Sequence, residues 1–217
     1  MAIRTEKKLS DLLRERRATP SFSSSPVHEE DLKKILHAGL EAPSGYNMQP
    51  WRFIAVRDPE QRKRLREAAM NQLKVEQAPV MIVACGDTTG WKDDLEDVIR
   101  IGREHGFTDE KQIERTRKNV NKFLGSYPEI SMWVTRQTMI AATTMMWMAE
   151  SLGYDTAPME GFYEDRVREV LGIPSHVRVI FLLGVGRLAG EDKKYAGRLP
   201  WSRTVFSERF GDPLTLE

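Results

Sequence analysis

A single cysteine, Cys85, stands among 217 residues, so no internal disulfide can form. No Cys/His cluster suggests zinc, and no metal site is expected. Cys85 follows an apolar run and is expected to be a buried, inert thiol. An excess of one charge is also missing. The 33 basic and 32 acidic residues leave a formal charge of +1, which gives no long-range pull toward nucleic acid or a membrane surface. The basic runs KRLR and RTRK alternate with acids, so no nucleic-acid partner is expected. No apolar stretch is long enough to span a bilayer. The amino terminus, MAIRTEKKLSDLLRERR, is too charged to hold the apolar core of a secretion signal. These absences make the cytoplasm, a reducing compartment, the expected location.

Familiar catalytic signatures are scarce too. There is no G-x-S-x-G and no Walker A motif. The four histidines (His28, His37, His105 and His176) are scattered without acidic partners at telling spacings, and read as surface or cap residues. GVGRLA (184–189) matches G-x-G-x-x-A after a strand. A dinucleotide fold then needs a helix, a second strand and an acid about 20 residues on. Residues 190–217, broken by Pro200 and Pro213, leave no room for them, so the glycines are expected only to end the strand.

What is present describes one globular domain over 1–217, with 40% hydrophobic residues for a core and 30% charged residues. Helices are expected over about 6–16 and from Ser25 or Pro26 until Pro43 stops the second, whose apolar stripe is Leu32, Ile35, Leu36 and Leu40. WRFIAVR (51–57) reads as a strand. Asp58 and Pro59 open the next helix as N-cap and first helical residue. APVMIVACGD (78–87) and VRVIFLLGVG (177–186) read as buried strands. Residues 90–127 are highly charged with helical spacing, and are expected as helices laid over the surface like a lid or insertion. A long helix over 129–153, closed by Gly153, is apolar almost all the way round. Burying every side of such a helix in a chain this size points to a homodimer; a central core helix in a monomer is the alternative. DTAPMEGF (155–162) reads as its exit, and a further helix follows at about 163–171.

Four separated segments could carry chemistry, with KKYAGRLP (193–200) adding cations near the end. RERRATPSF (14–22) concentrates guanidinium groups, suited to phosphate. APSGYNMQPW (42–51) packs amides and a hydroxyl between prolines. NQLK (71–74) offers two carboxamides and an ammonium. APMEGF offers main-chain N–H groups made accessible by Gly161. Singly, each reads as a solvated helix face or a turn. Together they match the needs of a flavin mononucleotide: cations for the phosphate, donors and acceptors for the pyrimidine edge, a cation near N1 and O2, and an N–H for N5.

In this order and spacing the motifs R-R, A-P-S-x-x-N-x-Q-P-W, N-x-x-K, A-P-V, R-Q, P-M-E-G-F and R-L-P resemble the FMN-dependent nitroreductase family, from about Arg14 to Pro200. The resemblance is weakest over 90–127. It implies an α+β fold, a three-layer α/β/α sandwich with a mixed, mainly antiparallel sheet, assembled as an intertwined homodimer with two FMN sites at the interface. Arg16 and Arg17, followed by Ala18, take the place of the amino-terminal phosphate pair, and Arg198 that of the carboxy-terminal phosphate arginine. Pro43, Ser44 and Asn47 match the loop that lines the flavin from one subunit. Asn71 and Lys74 match the residues at the pyrimidine edge. Gln137 matches a glutamine near the flavin and the interface. Pro158, Met159, Glu160 and Gly161 match the segment whose main chain faces N5.

The implied activity takes hydride from NADH or NADPH and passes electrons to nitroaromatics, quinones or similar small electron-poor acceptors by a ping-pong cycle. No side chain is expected as a certain catalytic group; Lys74, Glu160 and Gly161 tune the flavin. Two other readings stay open: a same-fold enzyme for dehalogenation or dehydrogenation, and a flavin carrier or regulator without turnover. The chain departs from the family pattern at Ala18, Pro20 and Ala196, where phosphate donors are common. Thr19, Ser21, Lys193 and Lys194 are the candidates to replace them.

Overall fold

The computed structural model describes residues 8–107 and 109–215. Its centre is a four-stranded antiparallel sheet in the order β1-β2-β4-β3, with β1 at Trp51–Val56, β2 at Val80–Asp87, β3 at Asp155–Met159 and β4 at Val177–Gly186. Central β2 pairs with β1 through Val56↔Met81 and with β4 through Val83↔Leu182. Its residues alternate between two cores, as a period of two requires. Val80, Ile82 and Ala84 face helices α2 (Glu29–Leu40) and α8 (Ile130–Ser151), packing with Ile35, Ala142 and Met145. Met81, Val83 and Cys85 face α3 (Pro59–Ala68), α4 (Leu73–Gln77) and α9 (Glu164–Leu171), packing with Leu65, Val75 and Val167. Helices on both faces make the three-layer α/β/α sandwich. A parallel bridge between Ala18 and Thr156 adds the mixed element to the antiparallel sheet.

Local chemistry sets most element ends. Asp58 caps α3 by accepting from the Gln61 N–H at 2.8 Å, with Pro59 in the first turn. At the end of α8, Gly153 adopts φ +74. Its N–H reaches the Glu150 carbonyl at 2.9 Å and the Tyr154 N–H reaches the Ala149 carbonyl at 3.0 Å, a Schellman closure. The glycines of GVGRLA make room: a Cβ on Gly184 would lie 3.1 Å from the Phe22 ring, and one on Gly186 2.6 Å from Pro79. Gly184 lies within β4 and Gly186 is its last residue. Cys85 is buried, and burial pushes its thiol up to about 12, so it is unreactive.

The structure sets the described bounds of α1 and corrects three expectations. Helix α1 covers Leu9–Glu15; the expected start at Glu6 lies outside the described residues. Helix α2 begins at Glu29, with His28 in extended backbone ahead of it, so Ser25 and Pro26 belong to the approach. DTAPMEGF is no simple helix exit, because Asp155–Met159 forms β3, an edge strand paired with β4. Pro158 is tolerated because an edge strand needs ladder bonds on one side only. Finally, residues 90–127 hold more apolar surface than their charge suggests. Helices α5 (Gly90–Asp93), α6 (Leu95–Glu104) and α7 (Glu110–Gly125) bury Trp91, Leu95, Ile99, Val120 and Leu124 against Met48 and Trp133, forming a separate small core.

Helix α8 is not fully covered by its own chain. Trp133, Thr138, Ala142, Met145 and Ala149 are buried, whereas Met132, Arg136, Ile140 and Thr143, at helical spacing, are exposed. No helix among the described residues is long and apolar enough to cross a membrane.

Candidate functional site

The segments singled out by sequence fall into two groups. The first gathers the end of α1, the α3–α4 turn, the end of β3 and the carboxy-terminal chain. Arg17 donates from Nη1 to the carbonyls of Arg14, Glu15 and Arg16, closing α1. Its guanidinium lies 4.7 Å from the centre of the Tyr195 ring, and that of Arg198 lies 5.5 Å from the same ring. Arg16 turns elsewhere: it sits 5.8 Å from the Trp147 ring, and its Nη1 is buried without a hydrogen-bond partner. The expected arginine pair is therefore split between different neighbours. Ala18 bridges to Thr156, and the Thr19 N–H donates to the Thr156 carbonyl at 2.9 Å.

Lys74 is half-buried. Burial, and then the charge of Lys193, hold its ammonium below the ordinary lysine range. That places the carboxy-terminal lysine within electrostatic reach of NQLK. Asn71 is exposed, and its N–H is held by the Arg66 carbonyl. Gln72 donates from Nε2 to the Gly161 carbonyl at 2.8 Å, tying NQLK to the segment after β3. A Cβ on Gly161 would lie 3.3 Å from that same nitrogen. Gly161 is thus explained by close approach and not by a left-handed backbone, since it is absent from the positive-φ glycines. Pro158 and Met159 end β3, and Glu160 is exposed beside it. A shallow cavity of about 210 Å³ separates Glu160 from Thr135 and Met139 of α8.

The second group is built on the α2–β1 loop. The Gly45 N–H donates to Gln137 Oε1 at 2.9 Å, so the polar residue inside the apolar helix braces the loop. Ser44 Oγ accepts from the Gln49 N–H at 3.0 Å. Pro43, Ser44 and Asn47 share the wall of a cavity of about 540 Å³ with Val98, Ile99 and Phe107. The helices behind that wall are hooked to the sheet by Arg52, whose Nη2 meets Asp87 Oδ2 at 3.0 Å and Asp94 Oδ2 at 2.5 Å. Burial opposes ionisation of Asp87. The N–H and hydroxyl of Thr89, the Arg52 charge and the Gly90 N–H outweigh it and hold the carboxyl below its usual range.

Both groups contain strained backbone. The non-glycine residues with positive φ are Tyr46, Asn47 and Gln49 in one loop, Met70 and Asn71 in the other, and Glu208 in the tail. Each such residue costs on the order of 1 kcal/mol or more, and such strain collects where a ligand is held. No hydrogen bond or ring contact joins the two groups among the described residues. Gln72, Met70 and Tyr195 were not among the expected site residues. NQLK was noted for its two carboxamides, but the reach of Gln72 across to Gly161 has no local signature. An aromatic set between Lys194 and Arg198 is the one signal that could have drawn attention to Tyr195.

The architecture is that of the nitroreductases. A nitroreductase family protein from Streptococcus pneumoniae is similar over 93% of this chain and 100% of its own, at 27% identity and a TM-score of 0.82. A chain from Exiguobacterium sibiricum, solved in complex with FMN, is similar over 92% of this chain and 96% of its own, at 25% identity and a TM-score of 0.83. In sequence, an NADH dehydrogenase of Thermus thermophilus is 34% identical over 88% of this chain and 91% of that protein. The sequence model of the Nitroreductase family matches residues 13–187, and the chain belongs to that family of oxidoreductases.

Proposed function

We propose that the chain binds FMN and transfers electrons from NADH or NADPH to small electron-poor acceptors such as nitroaromatics and quinones, working as a homodimer. The donor set fits the cofactor. Arg17 and Arg198 share one aromatic platform and have no carboxylate partner among the described ion pairs, so they are free to take a phosphate. Asn71 and Lys74 stand at a strained turn that would meet the pyrimidine edge. The main chain at Glu160 and Gly161, with the Gly161 carbonyl held by Gln72 and no side chain on Gly161 itself, offers an N–H to the ring. Bound FMN would supply the hydride-accepting, two-electron chemistry.

The protein's own work is to position and to shield. Lys74 places positive charge beside the edge where negative charge builds on reduction. Apolar walls at Val98, Ile99 and Phe107 keep water from the acceptor, and reductant and acceptor occupy the same space in turn. The 90–127 helices act as the lid of this space.

The observation that carries the proposal is the strained backbone in two loops that do not meet within one chain. A second protomer brings them together, with Pro43, Ser44 and Asn47 of one chain facing the cation group of the other. The exposed strip of Met132, Arg136, Ile140 and Thr143 on α8 supports that assembly. The Exiguobacterium complex supports FMN, and the Thermus relative supports NADH.

The test is anaerobic addition of NADH or NADPH to protein reconstituted with FMN, followed by a nitroaromatic. Bleaching and then return of the yellow colour are expected. A flavin that stays oxidised with both nicotinamides would refute the enzyme reading and leave a carrier.

A further inference from the structure

Two cavities meet at one residue. Tyr46 lines the cavity of about 540 Å³, and it also lines a second cleft of about 250 Å³ with Asn119, Lys122 and Phe123 of α7 and Ser126 just after it. Its side chain is thus the partition between the two spaces. Holding it there is costly, because φ +56 puts a tyrosine in the left-handed region. The Gly45 N–H bond to Gln137 fixes the loop that carries it. The Tyr46 ring leans on Phe123, with centres 5.9 Å apart, and Phe123 meets Tyr127 edge-on at 5.5 Å. Arg136 donates to the Tyr127 hydroxyl at 2.9 Å and steadies the far end of the row. Yet Tyr46 and Phe123 stay 42% and 46% exposed, while Val120 and Leu124 fill the small core behind α7. The core does not account for this aromatic pair.

The cleft behind the partition is polar and positive. Asn119, Lys122, Phe123 and Ser126 follow an i, i+3, i+4, i+7 spacing and share one helix face. Among the described residues no acid lines either cavity. The acids of the same stretch are engaged elsewhere. Glu110 pairs with Arg103 at 3.0 Å, Glu114 pairs with Arg117 at 2.5 Å, and Glu129 accepts from the Ser131 hydroxyl at 3.0 Å. Lys122 has no ion-pair partner among the described residues. A lone ammonium beside a carboxamide, next to exposed aromatic rings, suits an aromatic molecule with an anionic end.

We infer that this second cleft makes the chain selective for elongated aromatic acceptors that carry an acidic group. The reducible end lies in the larger cavity, the body passes Tyr46 and Phe123, and a carboxylate or sulfonate meets Lys122, with Asn119 as a second donor. The inference rests on the flavin reading and adds to it the class of acceptor.

The experiment measures binding to the full chain supplied with FMN, without nicotinamide, from the difference absorbance of the flavin. The ligands are a para-nitrobiphenyl with a carboxylate at the opposite end and the matching carboxamide. The acid is expected to bind about five-fold tighter than the amide at low salt, with the preference shrinking as salt rises. Lys122→Gln should abolish the preference and change amide binding by less than about two-fold. Tyr46→Asn removes the ring with a residue that tolerates left-handed backbone, and should weaken both ligands by about three- to ten-fold. Lys111→Gln, in the first turn of α7, is the control and should change neither. Acid and amide that bind alike, a preference that survives Lys122→Gln, or unchanged binding in Tyr46→Asn would overturn the inference and leave the flavin reading standing. So would a Lys122→Gln effect confined to the KM for NADH or NADPH, which would assign the lysine to dinucleotide phosphates. A chain that takes up no FMN would overturn the flavin reading itself, and the acceptor site with it.

Discussion

Replacing Glu150 with glutamine should make the protein more stable above neutral pH and leave it nearly unchanged in mild acid. Glu150 lies in the last turn of α8, where it accepts from the Thr156 hydroxyl at 2.6 Å. Burial raises its carboxyl from 4.5 to about 7; Asp155 pushes the same way, while Thr156 and Arg16 pull against it. The folded chain therefore holds a proton between pH 4.5 and about 7 that the unfolded chain releases. Stability falls as pH rises through that window, and levels off above it. A shift of that size corresponds to about 3 kcal/mol. Glutamine keeps the acceptor for Thr156 and cannot ionise. The assay is urea unfolding followed by tryptophan fluorescence at fixed protein concentration, from pH 5 to 8. The difference between variant and parent should grow by about 3 kcal/mol across the series. Parallel curves, or a variant that loses stability faster as pH rises, would refute the reasoning.

Three further outcomes can be checked. Gly161→Val forces Gln72 away from the Gly161 carbonyl, so flavin affinity should drop about ten-fold; unchanged flavin content after dialysis would remove Gly161 from the site. Lys74→Met removes the charge proposed for the pyrimidine edge and should make the flavin potential more negative by about 30 mV or more, the two-electron equivalent of 1.4 kcal/mol. A potential unmoved in a redox-dye titration would contradict that placement. Arg52→Ala unhooks Asp94 and leaves Asp87 to its local donors, costing about 1 kcal/mol in a partly exposed network and speeding proteolytic cleavage within residues 90–107; an unchanged cleavage rate would show that other contacts hold these helices.

The parts of this molecule written in local chemistry were legible. Asp58-Pro59 announces the start of α3, Gly153 announces the end of α8, and the continuous apolar runs in 78–87 and 177–186 give the central strands. Strand β3 was hidden because Pro158 argues against a strand unless its edge position is known, and edge position is a tertiary fact. Helices α5 to α7 looked polar because their apolar residues are few, though these gather in one small core. In the candidate site, residue types and order singled out the segments, which the fold gathers into two groups. Their arrangement was not readable: Gln72 reaches Gly161 across 89 residues of sequence, and Arg17 and Arg198 meet on a tyrosine that no spacing rule selects. Arg16 shows the converse, since its place beside Arg17 in the sequence gives no sign that it turns toward Trp147.

The central claim is that two identical chains converge to hold one flavin each. Size-exclusion chromatography with light scattering and simultaneous flavin absorbance, on protein supplied with FMN, tests both halves at once. The account predicts a yellow species of twice the 24.9 kDa chain mass carrying one FMN per chain. A colourless peak, or flavin bound stoichiometrically to a species of single-chain mass, would contradict it.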